Sequence, residues 1–457
     1  MKITIIGAGP GGYEAAIYAA KQGHEVTLVE KSQFGGTCLN RGCIPTKALL
    51  AVTNTLESIR AASGYGVEVS GEILPSFAKA YERKDQIVSN LRSGVAYLLN
   101  SNKVNVVKGY GRLDGVGRVA VTKADGTVET IEANHIILAT GSTAMVPALF
   151  PYDGERVITS DEVLSLNKAP ASLLIIGGGV IGCEVGQFMR RMGVDVTIVE
   201  MLDCLLPMED KDISRQIEKK FKKEGIKIVC GVGVTAMSTE NDHVRVSLQN
   251  GDELSAEKVL VSIGRKSATA DIGLEMVGIK PDAKGFIHVD EFMRTAIPGI
   301  YAIGDIVPSP QLAHVAAQEG FTAVDHISGK DKKISYRAIP RCVYTSPEVA
   351  AVGITETEAS KRGMTLGKGS YDFRTLGKAQ ASGKTEGFVK VLVDENDVIV
   401  GGAIVGADAT DMLHTLTIAV EMGITAEKLG QTVFPHPTMC EAVLEALHDV
   451  HKMSVHK

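Results

Sequence analysis

The sequence predicts an α/β protein built around two Rossmann-like dinucleotide-binding units, and three observations carry that expectation. Gly7-Ala8-Gly9-Pro10-Gly11-Gly12 opens the chain directly after a strand-like apolar run, Lys2 to Ile6. The same pattern returns as Gly177-Gly178-Gly179-Val180-Ile181-Gly182 after Ser172 to Ile176. Each copy closes its next strand on a carboxylate, GHEVTLVE ending at Glu30 and GVDVTIVE ending at Glu200. Both place the acid 23 positions after the first glycine (Gly7 to Glu30, Gly177 to Glu200), and the common offset of 170 between the copies marks a duplicated unit.

Each glycine of the pattern has a physical task. Gly7 and Gly177 make a tight turn, Gly9 and Gly179 let backbone approach a pyrophosphate, and Gly12 and Gly182 bring helix against strand. The helix that follows then turns its N-terminus, with its free N–H groups and positive dipole end, toward the phosphates. Glu30 and Glu200 stand where a carboxylate accepts hydrogen bonds from both ribose hydroxyls of an adenosine. Glu200 would repel a ribose 2'-phosphate, and Met201, Leu202 and Asp203 after it supply no cation to receive one. The second unit is therefore expected to take NAD in preference to NADP.

A chain of 457 residues exceeds what one hydrophobic core sustains, so several domains are expected. With 44% hydrophobic and 22% charged residues the composition is that of a folded α/β protein. The net charge of -6 is spread without a basic run, which argues against nucleic acid and anionic membranes as partners. No stretch approaches the ~20 apolar residues of a membrane helix, and the N-terminus has neither signal-peptide nor transit-peptide character, so the expected location is cytoplasmic, or an organelle matrix after processing. In that compartment the seven cysteines do not read as a structural disulfide framework, and any disulfide would be catalytic.

The candidate redox centre is Gly35-Gly36-Thr37-Cys38-Leu39-Asn40-Arg41-Gly42-Cys43-Ile44-Pro45-Thr46-Lys47. Cysteines five apart do not share a face of a regular helix, so a bridge between Cys38 and Cys43 needs a distorted start, which Gly42 permits. Zinc would need further ligands at recognisable spacing, and no second cysteine pair or nearby histidine supplies them, so no metal is expected. Near the C-terminus Pro435-His436-Pro437 holds a histidine between two prolines with Glu441 five residues on. A general base needs a fixed direction and a partner for its tautomer, and this arrangement offers both.

Together GGTCLNRGCIPTKALL, the duplicated fingerprints, TAIPGIYAIGD ending in Asp305, and HPTMCE resemble the dihydrolipoamide dehydrogenases of the glutathione-reductase-like flavoprotein family over essentially the whole chain. The resemblance implies two Rossmann-like domains, one for FAD and one for NAD, plus an α+β C-terminal dimerisation domain. Its boundaries would be 1–145 for the FAD domain, 146–268 for the NAD domain, 269–335 completing the FAD domain and 336–457 for the interface. Gly7, Gly9, Gly12, Glu30, Thr37, Lys47, Gly111, Thr140, Gly141, Ser142, Asp305 and Ala313 would then serve FAD. Gly177, Gly179, Gly182, Glu200, Val234 and Gly264 would serve NAD.

By the same resemblance Lys47 lies by the flavin, paired with Glu184. Cys43 faces the flavin as the charge-transfer thiolate, and Cys38 exchanges with substrate. His436, aimed by a cis bond to Pro437 and held by Glu441, is presented to the other subunit of a homodimer, so the site is shared. The implied reaction is oxidation of protein-bound dihydrolipoamide through a Cys38–Cys43 disulfide and FAD, with reduction of NAD. The implied partners are lipoyl domains and the acyltransferase core of a 2-oxoacid dehydrogenase complex, or the glycine cleavage lipoyl carrier. The alternative enzyme is an NAD(P)H-dependent reductase of another low-molecular-weight disulfide. A non-catalytic scaffold is a third reading, against which the intact set Cys38, Cys43, Lys47, His436 and Glu441 stands.

Arg41 departs from the family pattern, which carries a small apolar residue between the cysteines. Its guanidinium is expected either near the sulfurs, where it would lower a thiol pKa, or in solvent. Cys440 is expected to be a small buried filler rather than a third redox thiol.

Overall fold

The computed structural model describes residues 1–457. Its first sheet is five parallel strands in the order Ile300–Ala302, His135–Leu138, Lys2–Ile6, Glu25–Glu30 and Asn105–Lys108. The β-branched run Ile3-Thr4-Ile5-Ile6 suits the centre of such a sheet, where both faces are covered, and all four side chains are buried. Helix α1, Pro10–Lys21, starts on proline and buries Ala15, Ala16 and Ala19. These small side chains let it lie close to the Ala313–Ile327 helix, where a Cβ on Gly11 would come within 2.9 Å of the Ala316 carbonyl.

The second sheet repeats the design, with parallel strands ordered Lys227–Cys230, Asp195–Glu200, Ser172–Ile176, Lys258–Val261 and Val157–Ile158. The duplication extends to register, because Lys2 pairs Glu25 in the first sheet and Ser172 pairs Asp195 in the second. Ile300–Ala302 comes from far along the chain yet closes the first sheet, not the second. No helix is long and apolar enough to cross a membrane.

The third unit is a five-stranded antiparallel sheet ordered Arg341–Val343, Glu348–Gly353, Ile399–Gly406, Gly387–Val393 and Gly367–Asp372. Its strands Gly387–Val393 and Ile399–Gly406 pair antiparallel along their length. The helical stretch that follows is divided into Ala409–Met412 and His414–Met422.

A charged seam joins the second and third units. Lys390 is 1% exposed, and its ammonium lies 2.8 Å from Asp210, 2.9 Å from Asp212 and 2.8 Å from Glu356. Three converging carboxylates have the look of a cation site, and here the cation at their centre is the lysine itself. Arg341 adds a second pair to the seam, donating from Nε to Glu209 at 2.9 Å and from Nη2 at 3.1 Å.

Replacing Lys390 by Met should leave the buried Asp210 carboxylate without its counter-charge. The expected cost is about 3 kcal/mol, the scale for removing one member of a buried ion pair. It should be read as a lowered urea midpoint of the first unfolding transition, and an unchanged midpoint would show that the seam contributes nothing.

Candidate active site

The two fingerprints are alike in atomic detail. Gly7 and Gly177 have φ of +106° and +108°, a region that disfavours any side chain, and a Cβ there would lie 2.3 Å from the Ala139 carbonyl oxygen or 2.5 Å from that of Ser262. A Cβ on Gly12 or Gly182 would fall 1.9 or 2.0 Å from the carbonyl oxygen of Gly7 or Gly177. Protein packing therefore accounts for the first and third glycines of each copy. It does not account for the second, because a Cβ on Gly9 or Gly179 meets nothing within 4 Å. Room of that kind at a helix N-terminus fits the close approach of a pyrophosphate, and neither α1 nor the Val180–Arg191 helix has a side-chain cap on its first N–H groups.

The carboxylates are placed equally. The Ala8 N–H donates to Glu30 at 2.7 Å and the Gly178 N–H donates to Glu200 at 2.6 Å, each acid thereby bracing its own glycine loop. Their other oxygens take the N–H groups of Ser32 at 2.6 Å and Leu202 at 2.8 Å. The donor sets of the two units thus fit two dinucleotides.

Other predicted residues fall into clusters. Ser142 donates to Asp305, and Arg265 donates from Nε to the Ser142 hydroxyl and from Nη2 to the Ser142 carbonyl, both at 2.7 Å. Thr140 donates to the Ala268 carbonyl at 2.7 Å, beside Gly141, where a Cβ would stand in open space. Ala313 begins the Ala313–Ile327 helix, whose N-terminus is also uncapped by a side chain. Buried Glu319 on that helix accepts from the Gly304 N–H at 2.5 Å and the Tyr336 hydroxyl at 2.8 Å, which steadies the turn carrying Asp305. Gly111 is packed, since a Cβ would strike Val29 at 2.9 Å and Ile6 at 3.1 Å. Gly264 has φ of +134° and its carbonyl accepts from Met145 at 3.0 Å. Val234 begins the Val234–Glu240 strand and lies against the core formed by Val199, Val244 and Val246.

The cysteine segment forms two helices in place of one continuous helix. Helix α2, Gly36–Arg41, carries Thr37 in its first turn and ends at Gly42, whose φ of -144° and ψ of -112° break the helical path. Helix α3, Cys43–Arg60, starts directly after it. A Cβ at Gly42 would come within 3.0 Å of the Thr37 carbonyl oxygen and 3.2 Å of the Cys38 Cα, so the break is packed as well as turned. It brings the thiols close enough that each governs the ionisation of the other.

The neighbouring Cys38 thiol lowers the Cys43 thiol to about 7. Burial and the Glu184 carboxylate work against the shift, and the Lys47 cation adds to it. Cys38 is pushed far the other way, first by the adjoining Cys43 side chain and then by burial and by the charge on Cys43. Lys47 sits one turn along α3 and bonds both oxygens of Glu184, at 2.9 and 2.7 Å, from the Val180–Arg191 helix. Glu184 is 3% exposed, so it is paired, as a buried carboxylate must be.

His436 lies far from these thiols in sequence and opens to solvent. Its side chain is 78% exposed, its bond to Pro437 is cis, and its Nδ1 is 2.8 Å from Glu441. Burial raises Glu441, but the hydrogen bond to His436 and the Thr438 N–H outweigh it, and the carboxyl sits below its ordinary value. Neighbouring Val433 is 98% exposed, an apolar side chain left bare beside the histidine. Cys440 is half-buried against the core of the third unit.

Two readings require addition. Arg41 keeps 48% of its side chain exposed, in line with the solvent reading, and its Nε also reaches Asp161 at 3.4 Å, tying α2 to the segment that enters the second unit. Tyr344 was not singled out in the sequence. Its N–H donates to Glu184 at 2.9 Å, and its ring lies 4.5 Å from the Lys47 ammonium. A backbone contact 160 residues away from its partner leaves no motif to find it by.

Two nucleotide cradles that flank an adjacent thiol pair define a nucleotide-dependent disulfide oxidoreductase. Residues 1–320 match the pyridine nucleotide-disulphide oxidoreductase family and residues 339–447 match its dimerisation domain. The chain is 39% identical to a dihydrolipoyl dehydrogenase of Thermus scotoductus, covering 99% of this chain and 98% of that one. It is 40% identical to one of Bacillus subtilis, covering 97% and 96%. LpdA from Mycobacterium tuberculosis superposes with a TM-score of 0.92 at 30% identity over 98% and 99% of the chains. The HOCl-induced flavoprotein disulfide reductase RclA from Escherichia coli does so with 0.86 at 27% over 98% and 99%. The chain therefore belongs to the pyridine nucleotide-disulphide oxidoreductase family. It is an FAD- and NAD-using oxidoreductase with a C-terminal dimerisation domain.

The glycines separate packing from ligand room, and substitution should show it. Gly12→Ala should prevent folding of the first unit, because the added Cβ meets a carbonyl oxygen at 1.9 Å. Gly9→Ala should fold normally yet retain less flavin after purification, read from the ratio of flavin to protein absorbance. Full flavin content in Gly9→Ala would mean that the space is not the pyrophosphate's.

Proposed function

We propose that this protein is a dihydrolipoyl dehydrogenase, oxidising protein-bound dihydrolipoamide to lipoamide while NAD+ becomes NADH. The observation that carries the reading is the thiol pair across the Gly42 break, with Lys47 and Glu184 behind it. Full-length relatives that bear that name support it. In the oxidised protein Cys38 and Cys43 are joined. A substrate thiolate attacks the Cys38 sulfur, the S–S bond breaks, and Cys43 leaves as a thiolate in the position where the Lys47 cation favours that charge. His436 takes the proton of the second substrate thiol, which attacks the substrate sulfur of the mixed disulfide. Lipoamide departs as a disulfide, Cys38 is released and protonated, and two electrons remain on the cysteine pair. FAD, held in the first unit, would supply the two-electron relay between the cysteine pair and NAD+.

In this reading Gly7, Gly9, Gly12, Glu30, Thr37, Lys47, Gly111, Thr140, Gly141, Ser142, Asp305 and Ala313 hold FAD. Gly177, Gly179, Gly182, Glu200, Val234 and Gly264 hold NAD. His436 acts on the other subunit of the homodimer, a role supported by its exposure and by bare Val433 beside it. Lipoyl domains and the acyltransferase core of a 2-oxoacid dehydrogenase complex, or the lipoyl carrier of glycine cleavage, are the macromolecular partners. Free thiols at Cys183, Cys204, Cys230, Cys342 and Cys440 support a reducing, cytoplasmic setting.

The test compares NAD+ reduction by dihydrolipoamide with NADPH oxidation by glutathione disulfide. The first should dominate, with NAD favoured over NADP at least about tenfold in kcat/KM because Glu200 repels a 2'-phosphate. A dominant second reaction would replace lipoamide by another disulfide. The shared site is tested with mixed dimers of Cys43→Ser and His436→Ala chains. Each parent should be nearly inactive, while the mixed dimer combines both lesions at one site and leaves the other whole, restoring about half of wild-type activity. Mixed dimers as inactive as the parents would place the histidine at its own chain's thiols.

A further inference from the structure

Lys47 faces Cys43 on a side chain with four rotatable bonds, and something must hold it there. Glu184 supplies one hold. The other comes from the third unit, where the strand Arg341–Val343 delivers Tyr344 directly onto the ion pair. The Tyr344 N–H bonds the same Glu184 oxygen that takes Lys47 at 2.9 Å, and the Tyr344 ring lies 4.5 Å from the lysine nitrogen.

The segment is anchored on both sides of this contact. The Ser346 N–H donates to Gln187 at 2.7 Å, and the Gln187 amide donates back to the Ser346 carbonyl at 2.7 Å. Glu184 and Gln187 lie three residues apart on one face of the Val180–Arg191 helix, so Tyr344 to Ser346 is stitched along that face. The backbone that carries the ring is thereby fixed beside the ammonium, the ring packs against the core of the second unit, and it covers one side of a cation whose side chain is 29% exposed.

We propose that Tyr344 is a positioning residue, its ring confining the Lys47 ammonium against Glu184 and so fixing the cation that faces the Cys43 sulfur. The inference rests on the reading of Cys43 as the thiolate of the reduced enzyme. The charged and titratable groups around that sulfur are Cys38 from α2, Lys47 from α3, Glu184 from the Val180–Arg191 helix and Tyr344 itself. Of these Cys38 and Lys47 favour the thiolate, while Glu184 opposes it. A lysine released to solvent would favour it less, so the thiol would ionise at higher pH.

The experiment follows the long-wavelength charge-transfer absorbance of the two-electron-reduced holoenzyme across pH. In the wild type it should fall as pH drops through about 7, where Cys43 takes up its proton. Its loss in Cys43→Ser tests the thiolate reading independently. Tyr344→Phe keeps the ring and should leave the midpoint in place. Tyr344→Leu keeps bulk without the ring and should move it up by about half a unit, part of the shift produced by Lys47→Met. If the Leu variant retains the wild-type midpoint while Lys47→Met moves it, the ring has no positioning role. An equal shift in Phe and Leu variants would assign the effect to the hydroxyl and overturn the proposal in the same way.

Discussion

A carboxylate taken out of water must find counter-charge and hydrogen bonds, and Glu184 finds them in two other parts of the fold. It projects from the second nucleotide unit, takes an ammonium from α3 of the first and a backbone N–H from the edge of the third. The requirement to satisfy one buried group thus joins all three units at a single place. Because Lys47 lies one turn beyond Cys43 on the same helix, the joint is also the electrostatic surrounding of the thiol. Domain assembly and thiol chemistry depend on the same pair.

The duplicated units show how the same backbone can serve two nucleotides without equivalent duties. Glycines one and three of each fingerprint are demanded by contacts below 2.6 Å, and glycine two is demanded by nothing in the protein. That division separates what the fold needs from what a pyrophosphate needs. The thiols are then placed next to the first unit by a helix break whose own glycine is packed against Cys38. A disulfide across such a break is geometrically available to a segment that an unbroken helix would deny it.

The third unit contributes in two ways that oppose each other in burial. Its inner edge is locked, through Lys390 and Arg341 to Asp210, Asp212 and Glu209, and through Tyr344 to Glu184. Its outer face leaves His436 and Val433 bare, with Glu441 fixing the histidine ring from behind. That exposed histidine, its ring directed by Glu441, lies in the segment that matches the dimerisation domain.

Much of the architecture was legible in local patterns. The period of the glycines, the β-branched runs and the acids at the strand ends announced both nucleotide units, because turn geometry and strand burial are decided by neighbours a few residues apart. The Cys38–Cys43 spacing, the Lys47 position and the Pro435-His436-Pro437 segment with Glu441 were legible for the same reason. Of the contacts across the chain, the Lys47–Glu184 pair came only through the family resemblance, and the others had no local pattern to show them. Arg41 meets Asp161, Lys390 fills the centre of a carboxylate cluster, and Tyr344 reaches Glu184 through its backbone, each over more than a hundred residues. Such partners are chosen by where whole sheets come to rest against one another, and a backbone N–H carries no residue signature. The sequence by itself determined which groups could do chemistry; only the tertiary structure decided which charges those groups would face.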